Sequence, residues 1–189
     1  MKIFFAGTLL CAASIWQVSL AQVQALQKPH TESQLILTKV MEDIRHCDKN
    51  VRYEYDSKTR TISPPELKKI KGFKLKKLYR EIAVFEIDES YEGMRAAVLL
   101  VGRAPQTYVL PIHSVAFRNS YKTVRERLEQ RWHIPFKDAT PPTTTYDGPS
   151  ATFEMTVNGK WRELSIQKRP PEDYPHIPLP DVGCNHVAI

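Results

Sequence analysis

The chain has 189 residues, 42% of them hydrophobic, and a formal net charge of +6, a size and composition that make one domain with a real core. The positive balance favours anionic partners: an acidic protein, a cell-wall polymer or lipid headgroups. Nucleic acid is set aside because the chain reads as exported and carries no recognition motif, and beyond the N-terminus no run approaches the roughly 20 apolar residues that span a bilayer.

The opening residues, MKIFFAGTLLCAASIWQVSLA, carry one early positive charge at Lys2 and a mostly apolar run from Ile3 to Trp16. They end in the small residues Ser19 and Ala21 at the two positions a signal peptidase reads. Residues 1–21 are therefore expected to be a cleaved secretory signal, with a retained membrane anchor as the alternative. Cleavage there removes Lys2 and no acid, so the mature chain stays basic. It is expected to be soluble and exported, to the periplasm first and secreted otherwise. Residues 22–167 then form a single α+β domain, and 168–189 a proline-rich tail.

Thr31-Glu32-Ser33-Gln34 has the pattern of a capping box, in which the first hydroxyl and the Gln34 amide satisfy free backbone donors. Leu37, Val40, Met41, Ile44 and Cys47 follow at spacings of three and four, one apolar stripe on a helix that ends near 48–50. Val51 to Tyr55 alternates weakly and predicts a short strand. Next comes a basic segment, Lys58, Arg60, Lys68, Lys69, Lys71, Lys74, Lys76, Lys77 and Arg80, interrupted by the single acid Glu66. Ser63-Pro64-Pro65-Glu66 predicts a short helix start, and Gly72 its stop. The lysines from Lys68 to Lys77 are either a docking surface for something acidic or a solvated helix beside an edge strand that lysine guards against aggregation.

Ile82 to Phe117 holds three apolar runs broken at Glu89–Gly93 and Gly102–Pro105, which predicts an antiparallel meander. Simple alternation places Ala83, Phe85 and Ile87 on one face of the first strand. It places Met94, Ala96, Val98 and Leu100 on one face of the second, with Ala97, Leu99 and Val101 on the other. A strand apolar on both faces is central and covered on both sides. Glu86, Asp88, Glu89 and Glu92 make the first hairpin tip acidic, and are read as a solvated turn.

Tyr121 to Arg131 predicts a second amphipathic helix with Val124, Leu128 and Trp132 inward, ended by Pro135. Ala151–Val157 and Lys160–Gln167 flank Asn158-Gly159, the dipeptide that best fits a tight hairpin turn. That turn pairs Phe153 with Leu164 and Ala151 with Ile166, at the cost of setting Glu154 against Glu163. In the tail, Pro170, Pro171, Pro175, Pro178 and Pro180 argue against a helix or a central strand, so it is expected to lie extended over the surface.

Once the signal is removed two cysteines remain, Cys47 and Cys184, and in an oxidising compartment they are expected to form a disulfide that pins the tail. A zinc site drawing on His46, Cys47, Cys184 and His186 is disfavoured, because adjacent helical residues point about 100° apart. His113 is read as a core or edge histidine rather than a base. No nucleophile elbow, phosphate loop, dinucleotide fingerprint or paired-histidine metal helix is present.

The expected fold is α+β: a mainly antiparallel sheet of about five strands with two principal helices, and the tail pinned by the disulfide. The expected function is binding to a partner in the cell envelope, as an inhibitor, immunity-type neutraliser or adaptor, through the lysines above. No catalytic residue, metal or cofactor is assigned. One alternative is a ligand or lipid carrier with a cavity beside Leu99 and Val101. The other is an envelope hydrolase using His113, His133 or Glu86.

Overall fold

The computed structural model describes residues 30–47, 53–104, 113–138, 151–157, 160–167 and 180–185. The expected signal, residues 1–21, and the Asn158-Gly159 turn lie outside the described residues. All the elements below belong to one compact unit, Glu32–Ile189. In chain order they are α1 (Glu32–His46), β1 (Glu54–Asp56), β2 (Thr61–Ser63), a 3-10 turn (Pro65–Lys69), β3 (Lys74–Leu78), β4 (Ile82–Tyr91), β5 (Met94–Ala104) and β6 (His113–Phe117). They continue with α2 (Tyr121–Trp132), β7 (Lys137–Asp138), β8 (Ala151–Val157), β9 (Lys160–Gln167) and β10 (Asp181–Asn185).

The chain is α+β, with two α-helices and a mostly antiparallel sheet among the described residues. The sheet has ten strands and not about five. Two of the additional strands are too short to show a period of two, β2 with three residues and β7 with two, while the three-residue β1 overlaps the weakly alternating stretch that predicts a short strand. Along one path the order is β2-β1-β5-β6-β10-β9-β8-β7, and β4 pairs with β5 on its other edge and carries β3 outside it. Gly102 of β5 is opposite both Ile82 of β4 and Glu54 of β1, so β1 continues the edge of β5 that β6 occupies further back. The β1–β5 contact is parallel.

The meander holds. Glu92 and Gly93, both with positive φ (49° and 74°), close the β4–β5 hairpin, the geometry whose twist matches that of the strands. The predicted alternation in β5 does not hold along its length. Its register shifts between Ala96 and Val98 against β6. Met94, Ala96, Leu99 and Val101 therefore face the main core, while Ala97, Val98 and Leu100 join Ile82, Val84 and Ala116 in a smaller cluster on the opposite face. One extra residue at a bulge inverts the faces beyond it.

The predicted helical stripe is the buried one: Leu37, Val40, Met41 and Ile44 are 1% exposed or less. On α2, Val124, Leu128 and Trp132 are buried, and the Trp132 indole donates to the Tyr91 hydroxyl at 3.0 Å. Ser120 caps this helix by accepting from the Thr123 amide, and His133 ends it at φ 56°. The β8–β9 register is the expected one, with Phe153 opposite Leu164, Ala151 opposite Ile166 and Glu154 opposite Glu163.

The end of the tail departs from expectation. Asp181–Asn185 is an interior strand, antiparallel to β6 on one side and β9 on the other. The prolines stop at Pro180, so every residue of β10 keeps the N–H that an interior strand needs. Cys184 of β10 is joined to Cys47 at the end of α1, with Cα atoms 5.5 Å apart, an ordinary span for a disulfide. The short helix predicted after Ser63 is present as the 3-10 turn, but Ser63 ends β2 and does not cap it.

Candidate functional site

The basic segment is held in place by its apolar residues and its backbone. Leu67 and Ile70 are 1% and 2% exposed and root the 3-10 turn in the core. The Lys71 amide donates to the Ser33 hydroxyl of α1 at 2.7 Å, and the Lys71 carbonyl accepts from the Asp88 amide of β4 at 2.7 Å. The segment is thus stapled between α1 and β4, and Phe73 is delivered onto Phe85 with the rings stacked at 4.5 Å. On the far side Tyr55 of β1 meets Phe85 edge-on at 5.4 Å. The β1–β2 connection is drawn tight by the Asp56 carboxylate, which accepts from the Lys58 and Thr59 amides. Those bonds hold the Asp56 carboxyl below its ordinary range, and the turn ends on Arg60 with φ 57°.

These pieces enclose an open pocket of about 290 Å³, lined by Tyr55, Arg60, Ile62, Lys68, Phe73, Lys74, Leu75 and Phe85. Its floor is the apolar end of the main core, because Tyr55, Ile62 and Phe85 are buried and Phe73 and Leu75 are partly buried against them. Its rim is cationic.

The six lysines expected to form one basic surface do not stay together. Lys69 reaches Glu32 at 2.6 Å, Lys76 reaches Glu86 at 2.6 Å, and Lys71 lies 3.6 Å from Asp88. The ammonium of Lys76 holds the Glu86 carboxyl low, and Arg95 does the same for Asp88. Lys77 lies over the Tyr79 ring at 5.0 Å. Lys68 and Lys74 have no ion pair among the described residues, and both line the pocket with Arg60. The acidic hairpin tip, read as a solvated turn, thus neutralises part of the lysine run. The aromatic floor is what the sequence left unseen, and the available signal was Phe73 set between Gly72 and Lys74.

Other candidate residues are scattered. Leu99 and Val101, the expected lining of a carrier cavity, are fully buried in the core. His113 is 4% exposed on the core face of β6, its ring 4.7 Å from that of Tyr53. Glu86 is an exposed, lysine-paired side chain on the opposite sheet face, and His133 is an exposed helix end. They do not share a site. Cys47 and Cys184 are bonded to each other and so are not thiolate ligands. Among the described residues no helix is long and apolar enough to cross a membrane. No family model matches the chain, and no curated protein or solved structure resembles it significantly.

Proposed function

We propose that the protein is an exported, non-catalytic binding protein that docks on an acidic protein partner in the cell envelope. Its inhibitor, neutraliser or adaptor role is carried by the face around the Tyr55–Phe85 pocket. The observation that supports this is the division among the lysines: acids of the fold occupy Lys69, Lys71 and Lys76, whereas Lys68 and Lys74 are left without an ion pair beside Arg60 over an apolar floor. Lys68 and Arg60, with Lys74 compensated only in part by the Glu86 opposite it, supply around one concave apolar spot both the steering charge and the desolvated contact that a protein interface uses. Export agrees with the Cys47–Cys184 disulfide, because such bonds persist in oxidising compartments.

The test is affinity capture from envelope extract of the producing cell, run in parallel with the native protein and with the double variant Lys68→Glu, Lys74→Glu. The expected result is one stoichiometric protein retained by the native chain, lost as salt rises and absent from the variant. Identical captured proteins from both would remove this face from consideration. A co-purifying lipid or sugar with no protein would put the carrier reading first.

A further inference from the structure

The pocket is small, and its size narrows what enters it. Ligand pockets that hold a whole cofactor or drug-sized molecule run from about 300 to 1,000 Å³, whereas a cavity of about 150 Å³ accommodates benzene. At about 290 Å³, this pocket fits one aromatic ring with the atoms that attach it. The rings already present are arranged as aromatic groups prefer: Phe73 stacks on Phe85 with an interplanar angle of 16°, and Tyr55 meets Phe85 at 75°. Phe85 and Tyr55 are buried beneath this contact, so a further ring would lie over the part of Phe73 and Leu75 that is left open at the pocket floor.

The charges above that floor come from three separate places. Arg60 lies in the β1–β2 connection, Lys68 on the 3-10 turn and Lys74 at the start of β3. One small anion answers cations spread over three elements less well than several carboxylates in a row do. The strand beside the mouth, β3, pairs only with β4 among the described residues, leaving an edge along which an extended segment can run.

We propose that the pocket is an anchor site for an acidic peptide segment of the partner, receiving one aromatic side chain whose flanking carboxylates meet Arg60, Lys68 and Lys74. This rests on the acidic-partner reading and adds the residue type that would make the contact specific. Aromatic anchors seated in a pocket dominate interface energies, while rim charges govern encounter and register.

Isothermal titration calorimetry on the oxidised protein tests it with three probes: acetyl-Glu-Glu-Phe-Glu-Glu-amide, the same peptide with Ala in place of Phe, and 3-phenylpropionate. The Phe peptide is expected to bind about tenfold or more tightly than the Ala peptide. Lys68→Glu with Lys74→Glu should weaken it by a similar factor and flatten its salt dependence. Phe73→Leu, which keeps an apolar contact with Phe85, should shrink the Phe-over-Ala preference and leave the Ala peptide unchanged. Equal binding of both peptides, lost in the lysine variant, would overturn the aromatic anchor while leaving charged docking intact. Binding of 3-phenylpropionate as tight as the Phe peptide would overturn the peptide assignment and make this a site for small aryl carboxylates. Failure of all three probes would overturn the anchor, and the acidic-partner reading would then rest on affinity capture alone.

Discussion

At Gly72 the backbone has φ of +76°, and a Cβ there would stand 2.9 Å from the Asp88 amide nitrogen. Both facts require glycine, because a side chain would meet left-handed strain and fixed backbone together. Gly72→Ala is expected to cost about 2 kcal/mol, read as a lower urea midpoint with an unchanged slope. Because Gly72 precedes Phe73, the same variant should also weaken the Phe-containing peptide; a midpoint within about 0.5 kcal/mol of native would refute the close-approach account. Asp181 makes a second argument at this scale. Burial pushes its carboxyl up to about 7, against the opposing hydrogen bond with Ser114, and its cross-strand neighbours Ala116 and Gln167 carry no charge. A folded pKa above the unfolded one means the native state holds the proton more tightly. That contribution is complete below about pH 4 and is lost as pH rises toward 7. Asp181→Asn should remove the decline and leave the protein more stable at pH 7, by roughly 1–3 kcal/mol. Denaturant melts from pH 4 to 7 check it, and a native curve that rises with pH would count against it.

The elements differ in how much of them the sequence shows. Both helices and the β8–β9 register are legible because their patterns are long and local: stripes at three and four residues, and cross-strand partners set by a tight turn. The β5 bulge is not legible, since an inserted residue leaves every residue type unchanged and alters only which face each one takes. The pocket is hidden for a different reason. Its lining is drawn from residues between Tyr55 and Phe85 on separate elements. The acids that compensate Lys69 and Lys76 lie 37 and 10 residues away, so sequence shows the charge but not its cancellation. The strand β10 was hidden behind prolines that end at its doorstep. Its position between β6 and β9 makes the disulfide more than a tether for a loose end, because losing β10 would part the β7–β9 side of the sheet from the rest. The bond spans 137 residues, for which chain entropy sets an upper figure near 5 kcal/mol and measured gains fall lower. The variant Cys47→Ser, Cys184→Ser should lose about 2–4 kcal/mol. Hydrogen exchange should show β8 and β9 opening before α1 and β4. Uniform loss of protection would instead mean that β10 stays paired without its covalent bond.

For the whole molecule, the question is whether its net positive charge or a local arrangement governs association. The charge of +6 creates a field that attracts any acidic partner and weakens with salt. Two double variants separate the possibilities because they change net charge equally. Lys68→Glu with Lys74→Glu alters cations that have no ion pair among the described residues, although Lys74 stands opposite Glu86 in the β3–β4 register and helps hold that carboxyl low. Stability should fall by no more than about 1 kcal/mol, since only the change at position 74 sets a like charge against an acid, Glu86, across an exposed strand pair. Lys69→Glu with Lys76→Glu sets like charges against Glu32 and Glu86. These ion pairs are largely exposed, so the loss should be modest, up to about 1 kcal/mol for each pair. Association of the acidic Phe-containing peptide, followed by stopped flow across ionic strength, should then be slowed far more by the first variant than by the second. That difference should persist at salt concentrations that screen the long-range field, because charges bordering a desolvated pocket are screened less than charges far from it. Equal slowing by both variants, vanishing together as salt rises, would mean that the net field alone steers the encounter and that the pocket rim has no privileged part in it.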